Sequence, residues 1–550
     1  MRPNIFITGF SGTGKSSVGR EVADRLGWRF LDTDDLIAAS AGKPIQRIFD
    51  VDGEAVFRRL ERECLASAAR GERQVISTGG GIAEDGSNRK VMEGNGGVVC
   101  LEARPETIHE RLETERRGGG EPVVRPMLAG SDPLATIRSL KAERQFNYTL
   151  AHWTVHTDSL SVGEAADEVV RVWSVLSKTK STTEWPDEKN LAATVRTSSG
   201  DYPVWVGWGL LDLLGERVKA IVGPSVAYIV TDEGVHRQAR HAQRSMESAG
   251  IPTHMLLIPP GEQSKSLEKA QLIYRWLAEC KAERGHLILG VGGGVVGDLA
   301  GFVAATYLRG IPLALVPTSL LAMMDSSIGG KTAVDLPQGK NLVGAFYQPR
   351  FVLSDVGTLQ TLPKRELTSG WAEALKHGLI LDEGLLATFE GQKAPITALD
   401  RDAATDVIRR SAAVKANIVS QDERETLGIR VLLNYGHTIG HAIETATGFG
   451  KFLHGEAVSV GMMGAAYIGQ AMGMTSADEV DRQRAVLEAY GLPLSCPGLE
   501  VGAVLDAMRS DKKTAGRTIR WVLLDGIGKA VTRDDVPAEV VEETLERLVR

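Results

Sequence analysis

Two groups of residues in this 550-residue chain have the types and spacing for chemistry. The first is Gly9-Phe10-Ser11-Gly12-Thr13-Gly14-Lys15-Ser16, followed by Ser17. Glycines there let successive backbone N–H groups close around phosphate oxygens. A helix start adds positive potential, Lys15 can reach a transferring phosphoryl group, and the Ser16 hydroxyl can ligate Mg²⁺. A strand-like run, Asn4 to Thr8, precedes the loop and a helical pattern to about Leu26 follows it, the context a phosphate loop requires. Asp32-Thr33-Asp34 comes after strand-like Arg29 to Leu31, and Ser77-Thr78-Gly79-Gly80-Gly81 after Gln74 to Ile76. Two carboxylates at a strand end can divide their work between Mg²⁺ and the proton of an attacking hydroxyl, which implies an alcohol acceptor. The plainer reading of Asp32 and Asp34, a helix cap, stays open beside it.

The second group begins at Val291-Gly292-Gly293-Gly294-Val295-Val296-Gly297-Asp298, after strand-like Leu287 to Gly290. A glycine turn at that point lets a helix N-terminus approach a dinucleotide pyrophosphate, although its spacing departs from the usual fingerprint and such turns also serve structure alone. Downstream run Asp325 to Thr332, Gly339-Lys340-Asn341, Glu373-Ala374-Leu375-Lys376-His377-Gly378, Asn434-Tyr435-Gly436-His437-Thr438-Ile439-Gly440-His441 and His454-Gly455-Glu456. On a helix His437 and His441 share a face, as do Glu373 and Lys376, and His454 can reach in from a following turn. One carboxylate with two imidazoles makes a site for Zn²⁺ that keeps open positions for substrate oxygens.

The elements that must position these residues divide the chain. From Asn4 to about Leu176 short β-rich runs alternate with helical patterns, the rhythm of a parallel sheet wrapped by helices. Residues 177–189, SKTKSTTEWPDEK, are polar and aperiodic and read as a linker. Alternation resumes over 190–361, with strand-like runs at Val226 to Val230, His254 to Ile258, Leu287 to Gly290 and Leu313 to Val316. Over 362–550 helix-forming stretches such as Arg401 to Ser420 and Ser476 to Tyr490 dominate. The fold class expected is α/β throughout, ending in a mostly helical segment.

A composition of 43% hydrophobic and 24% charged residues suits buried cores rather than disorder. The net charge of -7 gives no global field for nucleic acid or anionic membrane, so small-molecule partners are favoured. Cys64, Cys100, Cys280 and Cys496 show no CxxC spacing, which argues against a disulfide framework and a thiolate zinc site. With no signal-like start and no apolar run of membrane-spanning length, a cytoplasmic location is expected.

Together with Phe57-Arg58-Arg59-Leu60-Glu61, Val124-Arg125-Pro126-Met127-Leu128 and Arg144, the first group resembles shikimate kinases over nearly all of residues 1–175. That resemblance implies a P-loop, nucleoside-monophosphate-kinase-like parallel sheet and a 1–176 kinase domain. Gly12, Thr13, Gly14, Lys15, Ser16, Ser17 and Arg125 would hold ATP, with Ser16 on Mg²⁺ and Arg125 on a lid that includes Arg116 to Glu121. Asp34, Arg58, Gly80 and Arg144 would hold shikimate, and Lys15, Asp34 and Arg125 would be catalytic. Guanidinium forks suit the shikimate carboxylate and Asp34 suits its hydroxyls, while any single arginine is open to being a solvated surface residue.

The second ordered set resembles 3-dehydroquinate synthases over residues 190–550. It implies an α/β NAD-binding domain, 190–361, and a helical metal- and substrate-binding domain, 362–550. Glu373, His437 and His454 would ligate Zn or Co, with His441 in the substrate site instead. Arg309, Asp325, Lys331, Asn341, Lys376, Lys415, Glu425, Arg430, Asn434, His441 and one or both of Lys512 and Lys513 would surround 3-deoxy-D-arabino-heptulosonate 7-phosphate, Lys331, Lys376 and His441 as catalytic groups. NAD would meet Asp232, Glu262, Lys265, Gly294, Gly297, Asp298, Thr318, Ser319, Lys331, Lys340, Thr358 and Thr361. Where the family pattern is Thr-Asp-x-Asn-Val, this chain has Thr231-Asp232-Glu233-Gly234-Val235, which puts a ribose-side contact in question. The resemblance further implies transient oxidation by NAD⁺, phosphate elimination and ring closure, and a homodimer through 190–550. Two alternatives stand beside it: another sugar phosphate cyclase or polyol dehydrogenase in the second half, and a non-catalytic ATP-binding regulatory module in the first.

Overall fold

Runs of aliphatic and β-branched residues bounded by glycine or polar turns build the sheets, because a strand covered on both faces needs nearly continuous apolar sequence. In the first unit these are β1 (Asn4–Thr8), β2 (Arg29–Asp32), β3 (Gln74–Ser77), β4 (Gly96–Glu102) and β5 (Trp153–His156). They pair in the order β2-β3-β1-β4-β5, all parallel. Phe6, Phe10, Leu65, Ile76, Met92 and Ile108 pack one side of the sheet into a core. The register sets Ser77 level with Ile7 on one neighbour and Asp32 on the other. The loops that leave β1, β2 and β3 therefore open at one edge, the carboxyl end where ligands of open α/β sheets bind.

The computed structural model describes residues 4–117, 132–149, 151–158, 160–176, 188–425, 428–448, 450–513 and 519–550. It falls into two units, Met1–Glu184 and Trp185–Arg550. Most of the expected linker, 177–187, lies outside the described residues.

The second unit contains β6 (Leu191–Val195), β7 (Tyr202–Gly207), β8 (Ala227–Asp232), β9 (Thr253–Ile258), β10 (Leu287–Gly292), β11 (Leu313–Pro317), β12 (Lys331–Leu336), β13 (Gly339–Phe346), β14 (Val352–Asp355), β15 (Trp521–Leu524) and β16 (Ala530–Arg533). Seven form one sheet, β6-β7-β14-β11-β10-β8-β9, antiparallel only at β6-β7. Trp205, Ile229, Leu289, Val316 and Leu353 lie in its core. The hairpins β12-β13 and β15-β16 depart from the sequence reading. Each has strands too short or too mixed in polarity to stand out, and the second sits within a segment read as helical. The β12-β13 hairpin carries Lys331, Lys340 and Asn341.

Beyond residue 362 helices dominate: Lys364–Ile380, Arg401–Gln421, His437–Ala446, His454–Ala471, Ala477–Ala489, Val501–Lys513 and Ala538–Val549. His454 opens a helix rather than sitting in a turn. Residues 369–380 of the first helix are buried throughout, so Glu373, Lys376 and His377 must find partners within the protein. Small residues let the helix His454–Ala471 come close: a Cβ on Gly455 would stand 1.9 Å from the Ser369 carbonyl oxygen. That approach brings His454 to Glu373. No helix among the described residues is long and apolar enough to cross a membrane, and all four cysteines are free thiols.

Candidate active sites

In the first unit the loop between β1 and the helix Lys15–Leu26 forms one wall of a cleft of about 1180 Å³. Gly9 has φ +132°, and a Cβ there would lie 2.2 Å from the Leu101 carbonyl oxygen, so only glycine completes the turn. Lys15 curls back and donates to the Phe10 carbonyl at 2.8 Å. Ser16 Oγ donates to Asp32 Oδ2 at 2.7 Å and lies 3.4 Å from Ser77 Oγ. Asp32 Oδ1 also accepts from the Asp34 N–H at 3.0 Å, so Asp32 is a helix cap as well as a neighbour of Ser16. Asp34 faces Gly79, where a Cβ would meet its Oδ1 at 2.9 Å and Glu61 Oε1 at 3.3 Å.

Arg58 donates to Glu61 Oε2 at 3.0 Å and to Glu54, and Arg144 Nε pairs with Glu84 Oε1 at 2.7 Å. Burial pushes the Glu61 carboxyl up in pKa, against the pull of Arg58. The Gly80 carbonyl accepts from Tyr148 Oη at 2.5 Å. Thus Gly12 to Ser17, Asp34, Arg58, Gly80 and Arg144 all line the same cleft. Arg125 and glycines 118–120 of the expected lid lie outside the described residues. Glu61 and Glu84 were not given roles from sequence. The three-residue spacing of Arg58 and Glu61 on a helix is legible, whereas nothing local announces Glu84.

In the second unit Glu373, His437 and His454 present ligand atoms within 4.8 Å of one another. Glu373 Oε1 is 3.5 Å from His437 Nε2 and 3.7 Å from His454 Nε2. It is buried with no hydrogen-bond partner, while Lys376 Nζ pairs with Oε2. His437 Nδ1 lies 3.1 Å from the Tyr435 carbonyl, which can only accept, so Nδ1 carries the proton and Nε2 turns a lone pair toward Glu373. His454 Nδ1 is 3.3 Å from Glu444 Oε2, a carboxylate the sequence reading left out. Burial, then Lys376 and the neighbouring imidazoles, hold His437 well below its ordinary pKa and keep it neutral. Burial opposes charge on His454 too, but Glu444 and Glu373 outweigh it and raise that pKa. The exposed His441 stands with its ring centroid 5.2 Å from that of His437.

Around this cluster lie paired cations. Asp325, on a π-helical turn (Ala322–Ser326), bonds Lys415. Burial would raise the Asp325 pKa, yet Lys415 and Lys376 together hold it far below the usual carboxylate range. Lys331 meets Glu425 at 2.5 Å, and Arg430 Nε lies 3.6 Å from the same oxygen. Asn434 ends the turn just before His437. No hydrogen bond or ion pair among the described residues ties Arg309 to this group, and the side chains of Lys512 and Lys513 lie outside them.

The residues expected to meet a dinucleotide gather at the carboxyl ends of adjacent strands: Asp232 after β8, Gly294 to Asp298 after β10, Thr318 and Ser319 after β11, Thr358 and Thr361 after β14. Lys265 links Asp298, at 2.5 Å, to Asn341, and Lys340 lies 3.5 Å from Glu262. Burial pushes Asp298 up to about 6 in spite of Lys265. Asp232 Oδ1 accepts from the Gly234 N–H at 2.8 Å, so the departure at Gly234 leaves a local cap in place.

Three family models match the chain. Residues 11–174 match the family model for shikimate kinase, 255–369 that for the 3-dehydroquinate synthase N-terminal part, and 370–514 that for its C-terminal part. A 3-dehydroquinate synthase of Symbiobacterium thermophilum is 46% identical over 353 residues, covering 64% of this chain and 98% of that protein. The chain belongs to the 3-dehydroquinate synthase family. With the shikimate kinase domain ahead of it, it is a bifunctional shikimate-pathway enzyme, kinase and lyase.

Among solved structures, a 2-deoxy-scyllo-inosose synthase complexed with carbaglucose-6-phosphate, NAD+ and Co2+ is 27% identical with TM-score 0.58, covering 65% of this chain and 99% of that one. The 2-epi-5-epi-valiolone synthase ValA of Streptomyces hygroscopicus subsp. jinggangensis 5008, with NAD+ and Zn2+ bound, is 26% identical with TM-score 0.58, covering 68% and 99%.

Proposed function

We propose that residues 1–176 transfer phosphate from Mg·ATP to the 3-hydroxyl of shikimate. In the same reading 190–361 bind NAD, and 362–550, with a divalent ion, convert 3-deoxy-D-arabino-heptulosonate 7-phosphate to 3-dehydroquinate and phosphate. The observation that carries it is the meeting of Glu373, His437 and His454 beside Lys376, in a chain 46% identical to a 3-dehydroquinate synthase.

The residues fit the two groups the reaction requires. Glu373 Oε1 is a buried acceptor without a partner, facing the Nε2 atoms of His437 and His454, which suits Zn²⁺ or Co²⁺. Gly294 opens the helix Gly294–Thr306 after β10, with room there for Ser326 Oγ, which a Cβ would meet at 3.1 Å, and a pyrophosphate would sit at that helix N-terminus. When bound, the ion would polarise substrate oxygens, and NAD⁺ would take a hydride from a ring carbinol and return it.

This chain's own groups do the rest. Lys376, Lys415 and His441 would stabilise negative charge that develops on substrate oxygens, and Lys331 and Arg430 would hold phosphate or carboxylate once Glu425 yields them. In the kinase, Lys15 would leave the Phe10 carbonyl for the transferring phosphoryl group and Ser16 would ligate Mg²⁺. Asp34 would accept the 3-hydroxyl proton while Arg58 and Arg144 take the ring carboxylate. A cytoplasmic homodimer formed through the second half belongs to the same reading.

The kinase half is tested by shikimate-dependent release of ADP and by locating the new phosphate on the product by phosphorus NMR. ATP bound without release of ADP, with or without shikimate, in protein whose second half turns over, would favour the regulatory-module alternative. The product of the second half must elute with dehydroquinate; a cyclitol formed instead from a different sugar phosphate would place it with the other cyclases.

A further inference from the structure

The arginine pair that would take the shikimate carboxylate already holds a carboxylate of the protein. Glu84 ends the short turn Ile82–Glu84 that follows the glycine triplet. Its Oε1 lies 2.7 Å from Arg144 Nε and 3.9 Å from Arg58 Nη2. The group is built around Gly81, where a Cβ would meet Glu84 Oε1 at 2.7 Å and Arg58 Nη1 at 2.8 Å.

The partners differ in their freedom. The Arg144 side chain is 10% exposed and that of Arg58 22%, while that of Glu84 is 42% exposed. Arg58 is also tied to Glu61, whose side chain is 2% exposed, and to Glu54. The guanidiniums are thus the fixed members and Glu84 the one that can turn out to water. Two guanidiniums in a partly desolvated cleft leave any ligand without an anionic group unable to replace the bonds it breaks.

We propose that Glu84 is a specificity-determining residue: an internal carboxylate that occupies the Arg58–Arg144 pair until a substrate carboxylate displaces it. This rests on the kinase reading above. Binding becomes an exchange of one carboxylate for another at the same guanidiniums. Affinity for the acid is lowered by the strength of a partly exposed ion pair, and neutral analogues are refused because they cannot drive the exchange.

The test is steady-state kinetics of the full chain with Glu84→Gln, which keeps shape and removes charge, and with Glu84→Ala. For both, the KM for shikimate falls about three- to fivefold, ~1 kcal/mol or less, and kcat/KM rises by the same factor while the KM for ATP stays put. A positioning role for Glu84 would raise the shikimate KM, and a bystander would leave it unchanged; either result overturns the proposal. Failure of the kinase reading looks different, since the wild-type chain would then release no ADP in response to shikimate. Unfolding curves that overlay the wild type for either variant exclude a folding defect, and the two substitutions check each other.

Discussion

Replacing Glu373 by Gln perturbs a side chain of the helix Lys364–Ile380 that faces both imidazoles. Glu373 and Lys376 are 0% and 1% exposed, so their ion pair is fully desolvated. Removing one partner of such a pair costs about 3–5 kcal/mol because the other charge is left in the interior. Gln retains an oxygen that accepts from Lys376, which puts the expected loss at the low end, about 3 kcal/mol. The second effect is on metal: a neutral amide replaces the anionic member of a three-ligand set, and Zn²⁺ affinity should fall at least about 100-fold. Urea unfolding of metal-free protein reads the first quantity, and competition with a chromophoric chelator reads the second. Unchanged Zn²⁺ affinity in a folded Glu373→Gln protein would refute the assignment of Glu373 as a ligand, whatever its stability.

Glu444 accepts from His454 Nδ1, so Glu444→Gln should weaken Zn²⁺ binding about tenfold in the same competition while the protein unfolds near the wild-type urea concentration. Lys15→Met should lower kinase kcat about 10²- to 10³-fold by removing a cation from the transferring phosphoryl group, and leave release of phosphate by the second half unchanged. Asp298 supplies a pH test. Its folded pKa of about 6 exceeds the ordinary value near ~3.9, so the folded state binds the proton more tightly and stability is lost as pH rises across that window. The loss is about 2–3 kcal/mol between pH 4 and 7. Asp298→Asn removes it, so the unfolding free energy of the variant should gain on the wild type as pH rises; parallel profiles would contradict the burial argument.

Much of this was legible because chemistry and local structure share the same residues. Gly9 to Ser16 reads as a phosphate loop since strand, turn and helix are consecutive, and the structure has β1, the turn and the helix Lys15–Leu26 in that order. Glu373 with Lys376, and His437 with His441, fall on common helix faces by spacing alone. What could not be read depends on separate segments meeting. The pairing of Glu84 with Arg144 spans 60 residues, and the contact of Lys415 with Asp325 spans 90. The π-helical turn at Asp325 has no sequence signature, and β12-β13 is a half-buried hairpin whose strands alternate too weakly to register. The cap reading of Asp32 is seen directly, one carboxylate oxygen accepting from the Asp34 N–H while the other accepts from Ser16 Oγ, a contact that no local signal announced.

The most direct test of the central claim is turnover of 3-deoxy-D-arabino-heptulosonate 7-phosphate by Zn²⁺-loaded protein with NAD far below the substrate concentration. Phosphate and dehydroquinate should appear in equal amounts, many per NAD, with no build-up of NADH and full loss of activity on chelation. Accumulating NADH, or no phosphate from folded and metal-loaded protein, would contradict it.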